Sequence, residues 1–572
     1  MAVPAACLTS CSNEYLEDIN TDKTKPFTID PNAQLTTGLL QTYGDFSIMD
    51  TYRCYVTGFT QHFAGGWNVS NYAGAVHADN DMLRAIWDGL YNVSIKNLTD
   101  AIYRSTEMDN VNAVLRIHKA YLMSVLTDMY GDVPCSEAGL GYIEKISTPK
   151  YDKQEDIYNW LFTELEACID QLQNSKTTEA VTGDVTSLGG DRAKWAKYAN
   201  SLRLRYAMRI SDVNPTKAKE EFEKAINASC GFIADASDNA YIKYTDSPFT
   251  LYDGARDLDF RVNALGEMLY GQDSDSPTFI CRTFFEQMKN TSDPRLYRIC
   301  RHYLNPKRSA VKADDEWNVD VTDEVVAFEN SAEGALADGM SYACNVGAAW
   351  WHNWVSAPSN DKIPTLEALV AQYPEVGFDQ SNYNARMMRP FLSIKLEKAE
   401  CPGVLMTSAE VHFLMAEAIS KGWTVTGTVE DHYNAGVRES MKMMNDYYDI
   451  NKITDAEIEA FIAANPVGTT AEKQKENINT QAWILHVMNP NEAWANLRRS
   501  DYPVIADRNK YDKWTADFTY DDNNINTPVR LKYPNLEAKY NKENYEKAIA
   551  DLGGTDDWHK RVWWDTAEIH VK

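Results

Sequence analysis

The sequence predicts a mainly α protein made of tetratricopeptide-like helical hairpins, with large irregular loop insertions and little β structure. Three observations carry this reading. Long runs repeat apolar residues at spacings of three and four. Two consecutive helical segments place small residues where they would touch. Alternating strand patterns are sparse and short.

The first long run is Val111, Val114, Leu115, His118, Leu122, Val125, Leu126 and Met129, one helical face over about five turns. Ile157, Leu161, Leu165, Cys168 and Leu172 form a second, and a third extends from Trp195 to Ile210. Further on, TSAEVHFLMAEAISKG reads as one helix, with Thr407 or Ser408 as N-cap and Gly422 as the stop. VEDHYNAGVRESMKMM follows it with Tyr433, Val437 and Met441 on one face. Ala416, Ala418, Ala435 and Gly436 supply the small surfaces that let two such helices approach. The hairpins do not recur at a fixed 34-residue period. An irregular insertion is expected from about 309 to 389, within a single domain spanning 31–572.

The opening MAVPAACLTSC has no Lys or Arg and no apolar core, so residues 1–11 read as a truncated signal remnant. Leu8-Thr9-Ser10-Cys11 fits a lipobox, with Cys11 as the lipidated residue. Residues 12–30, beginning SNEYLED, are polar and suit a tether.

With 83 acidic against 56 basic residues, the net charge of −27 argues against nucleic-acid binding, which needs clustered cations. Basic residues do not run beyond pairs such as Arg498–Arg499, and no stretch approaches the roughly 20 apolar residues of a membrane span. The ten Cys are scattered without a CxxC pair, which excludes a zinc ribbon and does not look like a disulfide framework. HExxH, GxSxG, GxGxxG and GxxxxGK[ST] are all missing. His118 and His412 fall in apolar helical patterns and read as core or half-buried residues. No enzyme, cofactor or metal site is indicated.

LTDMYGDVPCSEA (126–138) raises the question of whether its acids are catalytic. Gly131 is expected to end a helix in a left-handed conformation, and Pro134 forbids its resumption. Asp128 and Asp132 then accept backbone N–H groups, so their acidity is capping chemistry. In SLRLRYAMRI, Arg203, Arg205 and Arg209 are not expected all to face a core. Arg205 and Arg209 should bind carboxylates or helix carbonyls, and Arg498–Arg499 should do the same near the closing segment.

That elbow is one of several motifs. PKYDKQEDIYNWLFTELEACIDQL (149–172), SLGGDRAKWAKYANSLRLRYAMRI (187–210), SDPRL (292–296), VLMTSAEVHFLMAEA (404–418), NEAWANLRRSDYP (491–503) and RVWWDTA (561–567) follow in order. Together the set resembles the SusD/RagB family of surface lipoproteins, from the lipobox to the final WWD. The resemblance implies a SusD-like fold and a place on the outer membrane of bacteria that forage on complex glycans. It also implies a non-catalytic role: capturing oligosaccharides and acting as a lid on a SusC-like TonB-dependent transporter. A peptide-binding member, a surface glycosidase and a purely structural partner of the transporter are the rival readings.

Sugar rings stack apolar C–H faces on exposed aromatics and need polar side chains for their hydroxyls. Segment 62–81 offers Trp67, Asn68, Asn71, Tyr72 and Asp79 among glycines, and 342–361 offers Trp350, Trp351, His352, Asn353 and Trp354. The expected ligand contacts are Trp67, Asn68, Tyr72, Trp350, Trp351, Asn353 and Trp354. For the first segment the resemblance adds that the family's glycan-binding aromatics lie in the loop after its first helix. Trp87, Trp160, Trp195, Trp483, Trp494, Trp563 and Trp564 sit in helical or scaffold motifs and are expected to be structural.

Overall fold

The computed structural model describes residues 29–65, 70–74, 76–246, 260–271, 278–301, 391–511 and 525–572. The lipobox with Cys11, nearly all of the tether and the 309–389 insertion lie outside these residues. Helices dominate the described chain. Helix α1 (Pro31–Gly44) starts on an Asp30 cap, and α2 (Asn80–Gly89) on an Asp79 cap. The three runs of apolar periodicity become α3 (Asp109–Tyr130), α4 (Gln154–Asn174) and α5 (Arg192–Arg209), each packed on the next. The predicted hairpin is α6 (Ser408–Ser420) against α7 (Val429–Tyr447). Thr407 caps α6 by accepting from Glu410 N, and Gly422 follows it with φ 78°. Gly436 is where the two helices meet: a Cβ there would lie 2.6 Å from the Phe413 ring. Helix α8 (Ala471–Leu485) packs on α6, and α9 (Pro490–Ser500) follows. No described helix is long and apolar enough to cross a membrane.

Among the described residues, β structure is confined to short strands. A four-stranded antiparallel sheet takes the order β1-β3-β5-β4, from Phe63–Gly65, Thr278–Ile280, Phe391–Leu392 and Cys300–Arg301. Strands β2 (Ala240–Ile242) and β6 (Gly403–Met406) make a separate pair, Ala240 opposite Met406. Cys135, Cys168, Cys230 and Cys401 form no disulfide, and Cys168 is a core residue as expected.

The elbow differs from expectation in two respects. Gly131 takes φ 89° with ψ −122°, a region reserved for glycine but not the left-handed helical one. Its N–H still closes the helix on the Thr127 carbonyl at 2.8 Å. Asp132 does cap, accepting from Gln154 N at 2.9 Å to start α4. Asp128 does not cap a turn. It is buried and accepts from the Tyr158 hydroxyl at 2.6 Å and from Trp564 Nε1 at 2.9 Å. Its backbone carbonyl accepts from Arg498 Nη1 at 2.8 Å.

The arginines of α5 also depart from expectation: Arg203, Arg205 and Arg209 are all buried. What permits this is pairing. Arg205 binds Glu410 through two bonds of 2.6 and 2.7 Å and also donates to the Leu405 carbonyl. Arg209 binds Glu492 at 2.6 and 2.7 Å and lies 3.6 Å from Asp128. Arg203 lies 3.3 Å from Glu221. Burial alone would raise the Glu492 carboxyl, but Arg209 and Arg205 beside it hold it down to about 2. Arg498 stacks on the Trp494 and Trp564 rings at 3.9 and 4.9 Å. Arg499 binds Glu417, Asn479 and Asn496. In SDPRL, Arg295 is buried and gripped by Asp293, Ser440 and Gln481.

Removing one partner from such a cluster strands a charge away from water. Asp128→Ala is therefore expected to cost about 3–5 kcal/mol, read as a lower urea midpoint. Asp132→Ala, which loses a helix cap and a half-exposed ion pair with Lys153, is expected to cost about 1 kcal/mol. Equal costs for the two would remove Asp128 from its central role.

Candidate functional site

Between residues 52 and 95 the chain repeatedly leaves the regular α-helix. Tyr52–Val56, Ser70–Gly74 and Leu90–Ile95 are π-helical turns, a rare geometry that concentrates at functional sites. Two described residues inside this stretch hold positive φ without being glycine, Gln61 at 56° and Val76 at 55°. For a β-branched valine that conformation costs on the order of 1–3 kcal/mol and persists only where its surroundings impose it. At Gln61 the surroundings are visible. Its amide donates to the Ala506 carbonyl at 2.9 Å and accepts from Ala506 N at 3.0 Å and from the Thr283 hydroxyl at 2.6 Å.

Tyr72, one of the expected ligand contacts, lies on the π-helical turn between these strained positions. Its half-buried ring stacks on Tyr55 at 5.5 Å and on His77 at 6.1 Å, and its hydroxyl donates to Asp79 at 3.4 Å. Burial, with the Asp79 carboxylate next in effect, pushes its hydroxyl up to about 12, so it stays a neutral donor. Tyr55 donates to the His77 carbonyl at 2.7 Å and accepts from Asp79 N at 2.9 Å, and Trp558 meets it edge-on at 6.1 Å. This part of the 62–81 segment is thus an aromatic wall with an acid and a histidine at its border.

The wall adjoins a cavity of about 320 Å³ between segments 505–508, 526–529 and 559–571. Arg508, which lines the cavity, donates to the carbonyls of Ala73 and Gly74 at 2.5 and 2.6 Å and so ties it to the Tyr72 turn. Ile505 pairs with the C-terminal residues, donating to the His570 carbonyl at 2.9 Å and accepting from Lys572 N at 3.0 Å. Asp507, Asn526, His559, Arg561 and Glu568 provide polar surface, and Arg561 lies 3.3 Å from Glu568. Sequence reasoning passed over these residues, because nothing periodic or aromatic marks them and RVWWDTA reads as scaffold.

The remaining expected contacts, Trp67, Asn68, Trp350, Trp351, Asn353 and Trp354, lie outside the described residues. The tryptophans expected to be structural are so. Trp87, Trp195, Trp483, Trp494 and Trp564 are buried, and Trp160 and Trp563 pack half-buried on the core. Among the described residues, Glu410, His486 and Glu492 bring three donor atoms within 4.8 Å of one another. Arg205 and Arg209 already bond these carboxylates, and two guanidinium charges oppose a cation there.

Stacked helical hairpins closed by a C-terminal WWD segment define a SusD-like fold. Residues 24–318 match the family described as starch-binding and associating with the outer membrane. Residues 371–565 match the SusD and RagB outer membrane lipoproteins. The chain belongs to the SusD/RagB family. Among solved structures it is similar to a Bacteroidetes SusD-like protein, at 38% identity and TM-score 0.79 over 94% of this chain and 100% of that one. A chitin-binding protein is 28% identical at TM-score 0.71, over 94% and 100% of the two chains. A chitin-binding SusD homolog from Flavobacterium johnsoniae shares the fold, with 20% identity and TM-score 0.65 over 94% and 98%. No curated protein matches.

Asp565 of WWD is buried 3.7 Å from Arg561, a residue that lines the cavity. Burial pushes its carboxyl up to about 7, against the opposing pull of Arg498 and Arg561. The folded chain thus holds this proton more tightly than the unfolded chain, whose Asp titrates near about 3.9. The stabilisation from the protonated form is complete below about pH 4 and is lost as the pH rises through about 7. Asp565→Asn is therefore expected to melt like wild type near pH 4 and above it at pH 8. A gap that does not change with pH would show that the carboxyl is already ionised in acid.

Proposed function

We propose that this protein is a non-catalytic glycan-binding lipoprotein of the bacterial cell surface. It captures oligosaccharides and delivers them as a lid to a SusC-like TonB-dependent transporter. The observation that carries this reading is the family membership, which extends over nearly the whole chain and includes a chitin-binding relative. The strained aromatic loop supports it from the chain itself, since Tyr55, Tyr72 and His77 stack beside Asp79, and the adjoining cavity offers polar groups for hydroxyls. In this reading Trp67, Asn68, Tyr72, Trp350, Trp351, Asn353 and Trp354 contact the ligand, and Cys11 carries the lipid that keeps the lid near its barrel at high effective concentration. Described acids such as Glu410 and Glu492 are spent on buried arginines, which leaves them unsuited to the cleft of a glycosidase.

An aromatic platform of this kind should bind weakly, with dissociation constants of about millimolar to micromolar, about −4 to −8 kcal/mol. Calorimetry of the protein from Ser12 onward against soluble chitin and starch oligosaccharides, with peptides as the contrast, tests this. Binding of one glycan class is expected, weakened about tenfold or more in Trp67→Ala and Trp351→Ala, about 1.4 kcal/mol or more. Binding of peptides alone would replace the glycan with a peptide ligand. Silence against the whole panel would leave a structural partner of the transporter.

A further inference from the structure

The α6–α7 hairpin carries a feature that neither the fold nor glycan capture uses. His412 on α6 and His432 in the first turn of α7 face each other, with Nδ1 atoms 3.0 Å apart and ring centres 5.3 Å apart. His432 Nε2 lies 2.8 Å from the Thr426 carbonyl, a hydrogen bond that requires the proton on Nε2. In the neutral ring this leaves the Nδ1 lone pair of His432 aimed at His412. The loop before α7 is shaped around this ring: Gly427 has φ 99°, and a Cβ there would lie 3.0 Å from His432 Nε2. A carbonyl that accepts from the outer nitrogen while the inner one stays open is how proteins orient histidines that ligate metals.

We propose that His412 and His432 form a two-histidine site for a divalent transition-metal ion, Zn²⁺, Cu²⁺ or Ni²⁺, that clips the two helices together. Imidazole nitrogens bind such ions at about 2.0–2.1 Å. Two of them on one ion are then about 2.9 Å apart at a right angle and about 3.3 Å apart at a tetrahedral angle, on either side of the distance found here. Two rings on a tetrahedral ion have centres about 5.2 Å apart, so loading asks the imidazoles to turn without moving the helices. Hard cations such as Mg²⁺ and Ca²⁺, which take oxygen ligands, have no claim on this pair.

The test is calorimetry and thermal melting of the tag-free full chain, stripped with EDTA and titrated with Cu²⁺, Ni²⁺, Zn²⁺ and Mg²⁺. One equivalent of a transition metal is expected to bind and raise the melting midpoint, Mg²⁺ to do neither, and His412→Gln and His432→Gln each to weaken binding at least tenfold. Both variants should melt like wild type in EDTA, which separates loss of the site from loss of the fold. If they do not, the Cu²⁺ electron paramagnetic resonance spectrum of the wild type decides, since two nitrogen ligands are required. Metal binding that survives the double variant, a spectrum of oxygen ligands only, or no binding at all would overturn the site and leave a hydrogen-bonded histidine pair.

Discussion

Asp128 is the acceptor on which the scaffold converges. Its side chain and carbonyl take hydrogen bonds from Tyr158, Trp564 and Arg498, with Arg209 close by. These residues come from motifs spread along the chain, so separate helices are fixed to one point. Around it, Arg205, Arg209 and Arg498 balance Asp128, Glu410 and Glu492 in the buried interior. A cluster of this kind contributes little net stability compared with apolar packing, because desolvation offsets most of the attraction. Its value lies in discrimination, since a helix in the wrong register would leave a charge buried and unpaired.

Much of this was legible in the sequence, and the remainder was hidden for physical reasons. The helices of apolar periodicity, the Thr407 cap and the Gly436 contact follow from local spacing, and the structure has them where the spacing puts them. The burial of all three α5 arginines was not legible, because two of their partners, Glu410 and Glu492, are distant in sequence and the third, Glu221, comes from a separate helix. Asp128 was misread for the same reason: one residue after Thr127 and three before Gly131, it looks like turn chemistry until Trp564 arrives from the far end of the chain. Of the proposed ligand-binding face, the aromatic loop was legible through composition. The cavity beside it was not, since it is assembled from three segments of ordinary polarity.

The division of labour between scaffold and site explains why the motifs say so little about the ligand. Motif residues are consumed in the buried network and its aromatic stacking. The wide helical turns lie instead in the 52–95 stretch, where no motif was found, together with the strained Gln61 and Val76. A fixed frame with an independently variable face suits a family whose members meet different ligands.

The bond from Trp564 to Asp128 joins residues 436 positions apart. A contact of such separation carries a large loop-closure cost and belongs late in folding. Until the C-terminal segment arrives, the earlier helices hold an acid and two arginines without their closing partner. They can collapse, but they cannot settle. The final WWD therefore acts as a latch on the order of assembly: the hairpins are held open to rearrangement until nearly the whole polypeptide is present, and then lock together.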